Sequence, residues 1–357
     1  MKLSVLATSL AICSAVIATP VNPAHDILFR PVDSSGVNTT APAAGGVNTT
    51  APAAGGVNTT APAAGGYSNT TAAAGPSNTS SAGGKIWVFV TGGTVGLTNS
   101  SDITIIDLYN ASQALNITQL YALAGQVNST LGQESTQGVV IVSNQESLEP
   151  LGIFTSLLFN TAKPLVITQN GAIGAAIAQQ SSSSARGPVV VGDNRLIYAG
   201  ALAPAGDESS CTAVGISSDL SNATWFYENS VPVLIGPNST IKQNYSNFTN
   251  YNISTAPVVP IIYDGVYSSQ LISSLPSASA FVVVSAGSNS TLSTVTNSSS
   301  PIVFAEAGSG LRYVGEEDVP YGTIPAGYLS PVKAQILLSV AAANGVTDQQ
   351  ALRSLFP

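Results

Sequence analysis

Hydroxyls and glycines carry most of the chemistry this sequence can offer. An apolar, β-branched run, Ile86 to Val90, ends abruptly in Thr91-Gly92-Gly93-Thr94-Val95-Gly96. Two glycines behind a strand make a tight turn, bring the backbone close to its surroundings, and expose neighbouring hydroxyls and amides. A threonine hydroxyl in such a turn becomes a useful nucleophile only with a base or proton relay beside it. A second apolar run, Val139 to Val142, ends in Ser143-Asn144-Gln145-Glu146-Ser147, adding hydroxyls, amides and a carboxylate. Open α/β sheets bind ligands at the carboxyl ends of their strands, and parallel strands of one sheet place both loops on the same edge.

Much other chemistry is excluded. The single histidine, His25, stands ahead of the folded region, which removes Ser-His-Asp and Cys-His systems and His-based metal sites. Once Cys13 leaves with an expected signal peptide, Cys211 is the only thiol, so no internal disulfide, thiolate zinc cage or iron–sulfur cluster is expected. No GxSxG, Walker A or EF-hand pattern occurs, and neither a metal nor a cofactor is expected. The Gly92-Gly93-x-x-Gly96 spacing is not the dinucleotide G-x-G-x-x-G, and no Tyr-x-x-x-Lys accompanies it. With a formal net charge of −8 and 8 % charged residues, the chain offers no basic surface for nucleic acid.

The elements that must position the two loops follow from periodicity. After the second run, Ser147 reads as an N-cap with Pro150 in the first turn, and Leu148, Leu151, Phe154 and Leu158 recur at helical spacing. Lys163-Pro164 ends that helix and Leu165 to Thr168 returns as a strand, a βαβ unit that implies a parallel sheet. Val189 to Val191, Val259 to Tyr263, Phe281 to Ser285 and Ile302 to Ala305 read as further strands. Ser330-Pro331 opens a helix to about Ala343 with Gly345 as its stop, and Thr347 caps a last helix reaching Leu355. The expected fold class is α/β, with a larger N-terminal parallel-sheet domain over 85–245 and a smaller C-terminal α/β domain over 257–357. The Asn- and Tyr-rich stretch Asn244 to Ala256 reads as the exposed linker between them.

Residues 1–18 combine Lys2, an apolar run from Leu3 to Ile17 and a Val16-Ile17-Ala18 cleavage signature, the pattern of a secretory signal peptide too short to span a membrane. No transmembrane segment is expected in the rest. Residues 19–84 read as a disordered, glycosylated stalk: GVNTTAPAAG occurs at 36–45, 46–55 and 56–65, and a decayed copy fills 66–75. Ten residues with only Val, Ala and Pro as apolar groups cannot bury a face. As a random coil the stalk spans roughly 45 Å. Asn-x-Ser/Thr sequons stand at Asn38, Asn48, Asn58, Asn69, Asn78, Asn99, Asn110, Asn116, Asn128, Asn222, Asn238, Asn244, Asn247, Asn252, Asn289 and Asn297. In a secreted chain this density predicts N-glycans, which supply the hydration that scarce charges do not. The expected location is extracellular or in a cell wall.

The segment Ile86 to Gly96 resembles the first signature of L-asparaginases and glutaminases, an apolar strand followed by T-G-G-T-[IV]-[AG]. Gly138 to Phe154 is similar to the family's second signature, a strand leading into H-G-T-D-T and an amphipathic helix. Ala162 to Val166 resembles the Lys-Pro-Val strand after that helix, Ser285-Ala286-Gly287 a turn of the C-terminal domain, and Gly327 to Ala334 the start of the penultimate helix. The resemblance implies an asparaginase-like two-domain fold, a small amino-acid ligand and a homo-oligomer. It also implies side-chain amide hydrolysis through an acyl-enzyme, with Thr94 as nucleophile, Thr91 as its neighbour and Tyr109 in place of the family's loop tyrosine. By the same resemblance Gly93, Gln145 and Ser147 would contact substrate.

The second motif departs from the family. His-Gly-Thr-Asp-Thr is replaced by Ser143-Asn144-Gln145-Glu146-Ser147, so Gln145 stands where the relay threonine belongs, and Glu146 carries its charge one methylene further out. No lysine occurs between Lys163 and Lys242, where the relay lysine would stand. Each loss costs on the order of 10³-fold in rate. The expectation is an asparaginase-like protein with an impaired amidohydrolase site and an extracellular role. The alternatives are an active enzyme with Glu146 as base to Thr94, and a purely structural wall glycoprotein.

Overall fold

The computed structural model describes residues 84–204, 213–219, 222–227, 256–285, 298–307 and 313–356. The expected signal peptide, the repeats and the stalk up to residue 83 lie outside these residues, as do His25, Cys211, positions 244–255 and the sequons at Asn38, Asn48, Asn58, Asn69, Asn78, Asn238, Asn244, Asn247, Asn252, Asn289 and Asn297. The described residues all belong to one compact unit.

Among the described residues, eight strands form the larger sheet: β1 Lys85–Val90, β2 Ile103–Asp107, β3 Thr136–Val142, β4 Leu165–Thr168, β5 Pro188–Val191, β6 Leu196–Ala199, β7 Ala213–Asp219 and β8 Asn222–Trp225. Their order is β2-β1-β3-β4-β5-β6-β7-β8. The first five run parallel and β6 to β8 return antiparallel. Side chains alternate between faces, as strand geometry requires. Phe89, Val139, Ile141, Leu165 and Ile167 pack to one side, under helices α1 Ile117–Leu131 and α2 Gln145–Leu158. Val88, Val90, Val140, Val142 and Val166 pack to the other, under α3 Gly171–Ala178. Burial on both faces explains why these strands are continuous apolar runs.

A second sheet, order β12-β11-β10-β9, consists of β9 Ile261–Tyr263, β10 Phe281–Val284, β11 Ile302–Ala305 and β12 Ile324–Pro325, all parallel. It carries α4 Ser268–Ser274, α5 Pro331–Ala343 and α6 Gln349–Arg353. One apolar cluster joins the sheets through α2 and α5, with Leu151, Phe154, Val282, Val303, Leu337 and Val340 all buried in it.

Two caps differ from expectation. The N-cap of α2 is Asn144 rather than Ser147: its Oδ1 accepts the Ser147 N–H at 2.9 Å. The helix therefore starts earlier, and Pro150 sits inside it. Proline lacks the N–H that would bond the Glu146 carbonyl, so this helix forgoes one hydrogen bond in its second turn. For α6 the cap is Asp348, whose Oδ1 accepts from Gln350 and Ala351, rather than Thr347.

Candidate functional site

Strands β1, β3, β4 and β5 end side by side, and the loops that follow them form one edge of the larger sheet. The Thr91 to Thr94 turn crosses the end of β3. Thr94 N–H donates to the Gln169 carbonyl at 2.8 Å and the Thr94 carbonyl accepts Gly171 N–H at 2.9 Å, so the chain leaving β1 pairs with the turn after β4. Only glycine fits beneath this crossing. A Cβ on Gly93, where φ is +71°, would stand 2.5 Å from the Ser143 carbonyl oxygen and 2.8 Å from that of Gln169. On Gly92 it would stand 2.7 Å from the Ala111 carbonyl oxygen.

The two threonines occupy different environments. Thr91 is fully buried, its hydroxyl shared between Ser143 Oγ at 2.9 Å and the Val142 carbonyl at 3.2 Å. That hydroxyl ties the ends of β1 and β3 together. Thr94 is exposed, and its hydroxyl has no hydrogen-bond partner among the described residues.

The second loop is built around Asn144. Besides capping α2, its Nδ2 donates to the carbonyls of Ala111 at 2.8 Å and Gln113 at 2.9 Å, fastening the segment after β2 to the start of α2. Gln145 and Glu146 are exposed, whereas Ser147 is buried and its Oγ accepts Leu115 N–H at 3.3 Å. Gly93 and Gln145 thus stand on the open edge and Ser147 beneath it. Tyr109 follows β2, donates its N–H to the Val90 carbonyl at 3.1 Å and is half-buried against the core.

Three residues at this edge were not foreseen. Gln169 Nε2 donates to Gln145 Oε1 at 2.6 Å and also to Asp193 Oδ1, so one amide links the loops after β3, β4 and β5. Asn170 caps α3, its Oδ1 accepting from Ala172 at 3.0 Å and Ile173 at 3.3 Å. All three are among the first polar residues after a strand, the same signal that marked Thr91 and Ser143, so extending that rule to Leu165–Thr168 and Pro188–Val191 finds them.

Charge is sparse here. Among the described residues no lysine stands between Lys163 and Lys333. Lys163, just ahead of β4, lies at the amino edge and donates to the carbonyls of Leu131 at 2.8 Å and Gln133 at 2.6 Å. Glu149, one turn along α2 from Gln145, is buried with Ser330 Oγ at 2.5 Å and Lys333 Nζ at 3.9 Å. Burial pushes its carboxyl above the ordinary range, against the opposing pull of Lys333 and Ser330. The edge can hydrogen-bond a polar ligand through hydroxyls, amides and carboxylates, while the Thr94 hydroxyl stands without a base.

No protein-family model matches the chain. In sequence it is 41 % identical over 373 residues to Protein YGP1 of Saccharomyces cerevisiae, an alignment covering 100 % of both chains. It is 41 % identical over 302 residues to the sporulation-specific wall maturation protein of the same yeast, covering 78 % of this chain and 91 % of that one. In structure it is similar to a probable cytoplasmic L-asparaginase from Campylobacter jejuni, with a TM-score of 0.60, 18 % identity, and coverage of 76 % of this chain and 99 % of that one. The fold is asparaginase-like, as the two signatures implied.

Proposed function

We propose, for a chain that belongs to the family of yeast Protein YGP1 and the sporulation-specific wall maturation protein, a secreted, N-glycosylated role in the cell wall on an asparaginase-like scaffold that does not hydrolyse amides. The observation that carries this reading is the Gln145–Gln169–Asp193 chain beside an unpartnered Thr94 hydroxyl. The family resemblance implies a relay threonine at position 145, and this chain has an amide there, hydrogen-bonded to a second amide. An amide has no hydroxyl to pass a proton, and threonine without a relay is a poor nucleophile.

The glycan part of the reading rests on exposure. The asparagines of the five sequons within the described residues, Asn99, Asn110, Asn116, Asn128 and Asn222, are all exposed. Asn99 and Asn116 use Oδ1 as an acceptor, to Ile105 N–H at 2.7 Å and Gln119 N–H at 2.9 Å, which leaves Nδ2 for a sugar. Among the described residues no helix is long and apolar enough to cross a membrane.

The test is ammonia release from L-asparagine and L-glutamine by the purified secreted protein beside Thr94→Ala. Equal rates are expected. Turnover that Thr94→Ala abolishes overturns the reading and makes Glu146 the base to examine next.

A further inference from the structure

The amino-terminal edge of the smaller sheet carries a cleft of about 400 Å³, within the range of about 300–1,000 Å³ of small-molecule sites. Its walls are three segments that each lead into an element: Ser298 to Ile302 into β11, Tyr321 to Thr323 into β12, and Thr347 to Gln349 into α6. These walls are fastened to the fold. Gln349 Nε2 donates to the Gly322 carbonyl, Arg353 Nη2 to the Thr323 carbonyl at 2.5 Å, and Ser300 Oγ to the Ala278 carbonyl at 2.9 Å. A cleft braced in this way loses little ordering entropy when it binds.

The lining narrows the ligand class. It contains no lysine, arginine or histidine, so it has no clamp for an anion. Its apolar members are few, and Ile302 is 3 % exposed, so a hydrophobic ligand finds little surface. The remainder is hydroxyl-rich with one carboxylate. The hydroxyls of Ser299 and Thr347 have no hydrogen-bond partner among the described residues, and the two cap bonds of Asp348 both use Oδ1. On the lip stands Tyr321, 96 % exposed, offering a flat apolar ring with a polar tip. A ring that stacks on apolar C–H faces, beside free hydroxyls that donate and accept and a carboxylate that accepts from vicinal hydroxyls, is complementary to a neutral sugar.

We infer that this cleft binds a short neutral oligosaccharide, with Tyr321 stacking on a pyranose ring and Asp348, Ser299 and Thr347 bonding its hydroxyls. The cleft lies on the other sheet from the Thr94 edge and at the opposite strand ends, so the inference stands whether or not that edge turns over amides. The same chemistry is offered by wall glucan, by chitin, and by the mannose-rich glycans of glycoproteins, this chain's own included.

Three probes separate those sources: laminarihexaose, chitohexaose and mannohexaose, titrated calorimetrically into the full secreted protein before and after enzymatic deglycosylation. Saturable binding of at least one is expected, and the probe that binds identifies the source. Binding of mannohexaose only after deglycosylation assigns the cleft to the chain's own glycans. Tyr321→Ala should weaken binding at least about tenfold, the effect of truncating an aromatic anchor. Asp348→Asn, which keeps a capping residue but loses the charge, should weaken it less. Tyr313→Ala, an exposed tyrosine outside the cleft, should leave it unchanged. No binding of any probe up to about 10 mM, or unchanged binding in Tyr321→Ala, overturns the inference. Thermal denaturation of the surface variants excludes misfolding as the cause of a loss.

Discussion

Replacing Lys333 by methionine tests whether the junction between the two sheets depends on its buried charge pair. Lys333 on α5 and Glu149 on α2 stand 3.9 Å apart, with 5 % and 10 % of their side chains exposed. At that distance, with an effective dielectric near 20, the attraction is about 4 kcal/mol. Desolvation of each ion costs several kcal/mol, and the raised carboxyl of Glu149 says that burial outweighs the lysine. Lys333→Met leaves a buried carboxylate held only by Ser330, and should cost about 3–5 kcal/mol at pH 7.

The pH dependence has a definite sign. A carboxyl whose folded-state pKa is raised above its ordinary 4.5 binds more protons folded than unfolded. Its stabilising contribution is full below that ordinary value and is lost as pH rises through the folded value. Removing the cation raises the folded value further, so the penalty of Lys333→Met should grow toward pH 8 and shrink toward pH 5. Urea denaturation, followed by the fluorescence of Trp87 and Trp225, measures this. Adding Glu149→Gln to Lys333→Met should recover at least half of the loss, because a neutral amide keeps the bond to Ser330 without a buried charge. A loss under about 1 kcal/mol, a penalty flat in pH, or a double variant no better than the single would each refute the reasoning.

Gly93→Ala puts a methyl group against two carbonyl oxygens at a positive φ, and should lower stability by at least about 2 kcal/mol in the same assay. Asn144→Ala removes a helix cap and two bonds to the 111–113 segment, about 2–3 kcal/mol together, whereas Asn144→Ser, which can still cap, should lose about 1 kcal/mol less. Hydrogen exchange in 111–115 should accelerate in both variants. Endoglycosidase treatment of the secreted protein should lower its apparent mass, and glycopeptide mapping should find sugar among the exposed Asn99, Asn110, Asn116, Asn128 and Asn222.

Legibility varied along the chain with how local each signal was. The strands at Ile86–Val90, Val139–Val142, Leu165–Thr168, Phe281–Val284 and Ile302–Ala305 were readable because double-sided burial leaves an uninterrupted apolar run. Helix α5 was readable because Ser330 and Pro331 cap and open it. Strand β2 and helix α1 were not foreseen. β2 lies at the sheet edge and is only half-buried, and α1 is punctuated by Asn128, Ser129 and the exposed Gln126, so neither stands out as an apolar run. The Asn116–Gln119 capping box was the available signal for α1. Strands β6 and β8 have only four residues each, and the antiparallel pairing of β6 to β8 is a long-range fact.

The sequence by itself determined the α/β class, the two polar loops at strand ends, an amide rather than a hydroxyl at Gln145, and the absence of histidine from the residues that follow the repeats. These depend on residue identity and local periodicity, which need no partner to be read. Tertiary structure alone decided which hydroxyl is free. Thr91 and Thr94 are chemically identical, yet one is buried against Ser143 and the other exposed, because the chain must cross β3 between them to pair with the turn after β4. It likewise decided that Gln145, Gln169 and Asp193 meet, since strand order, and not separation along the chain, sets which loop ends are neighbours.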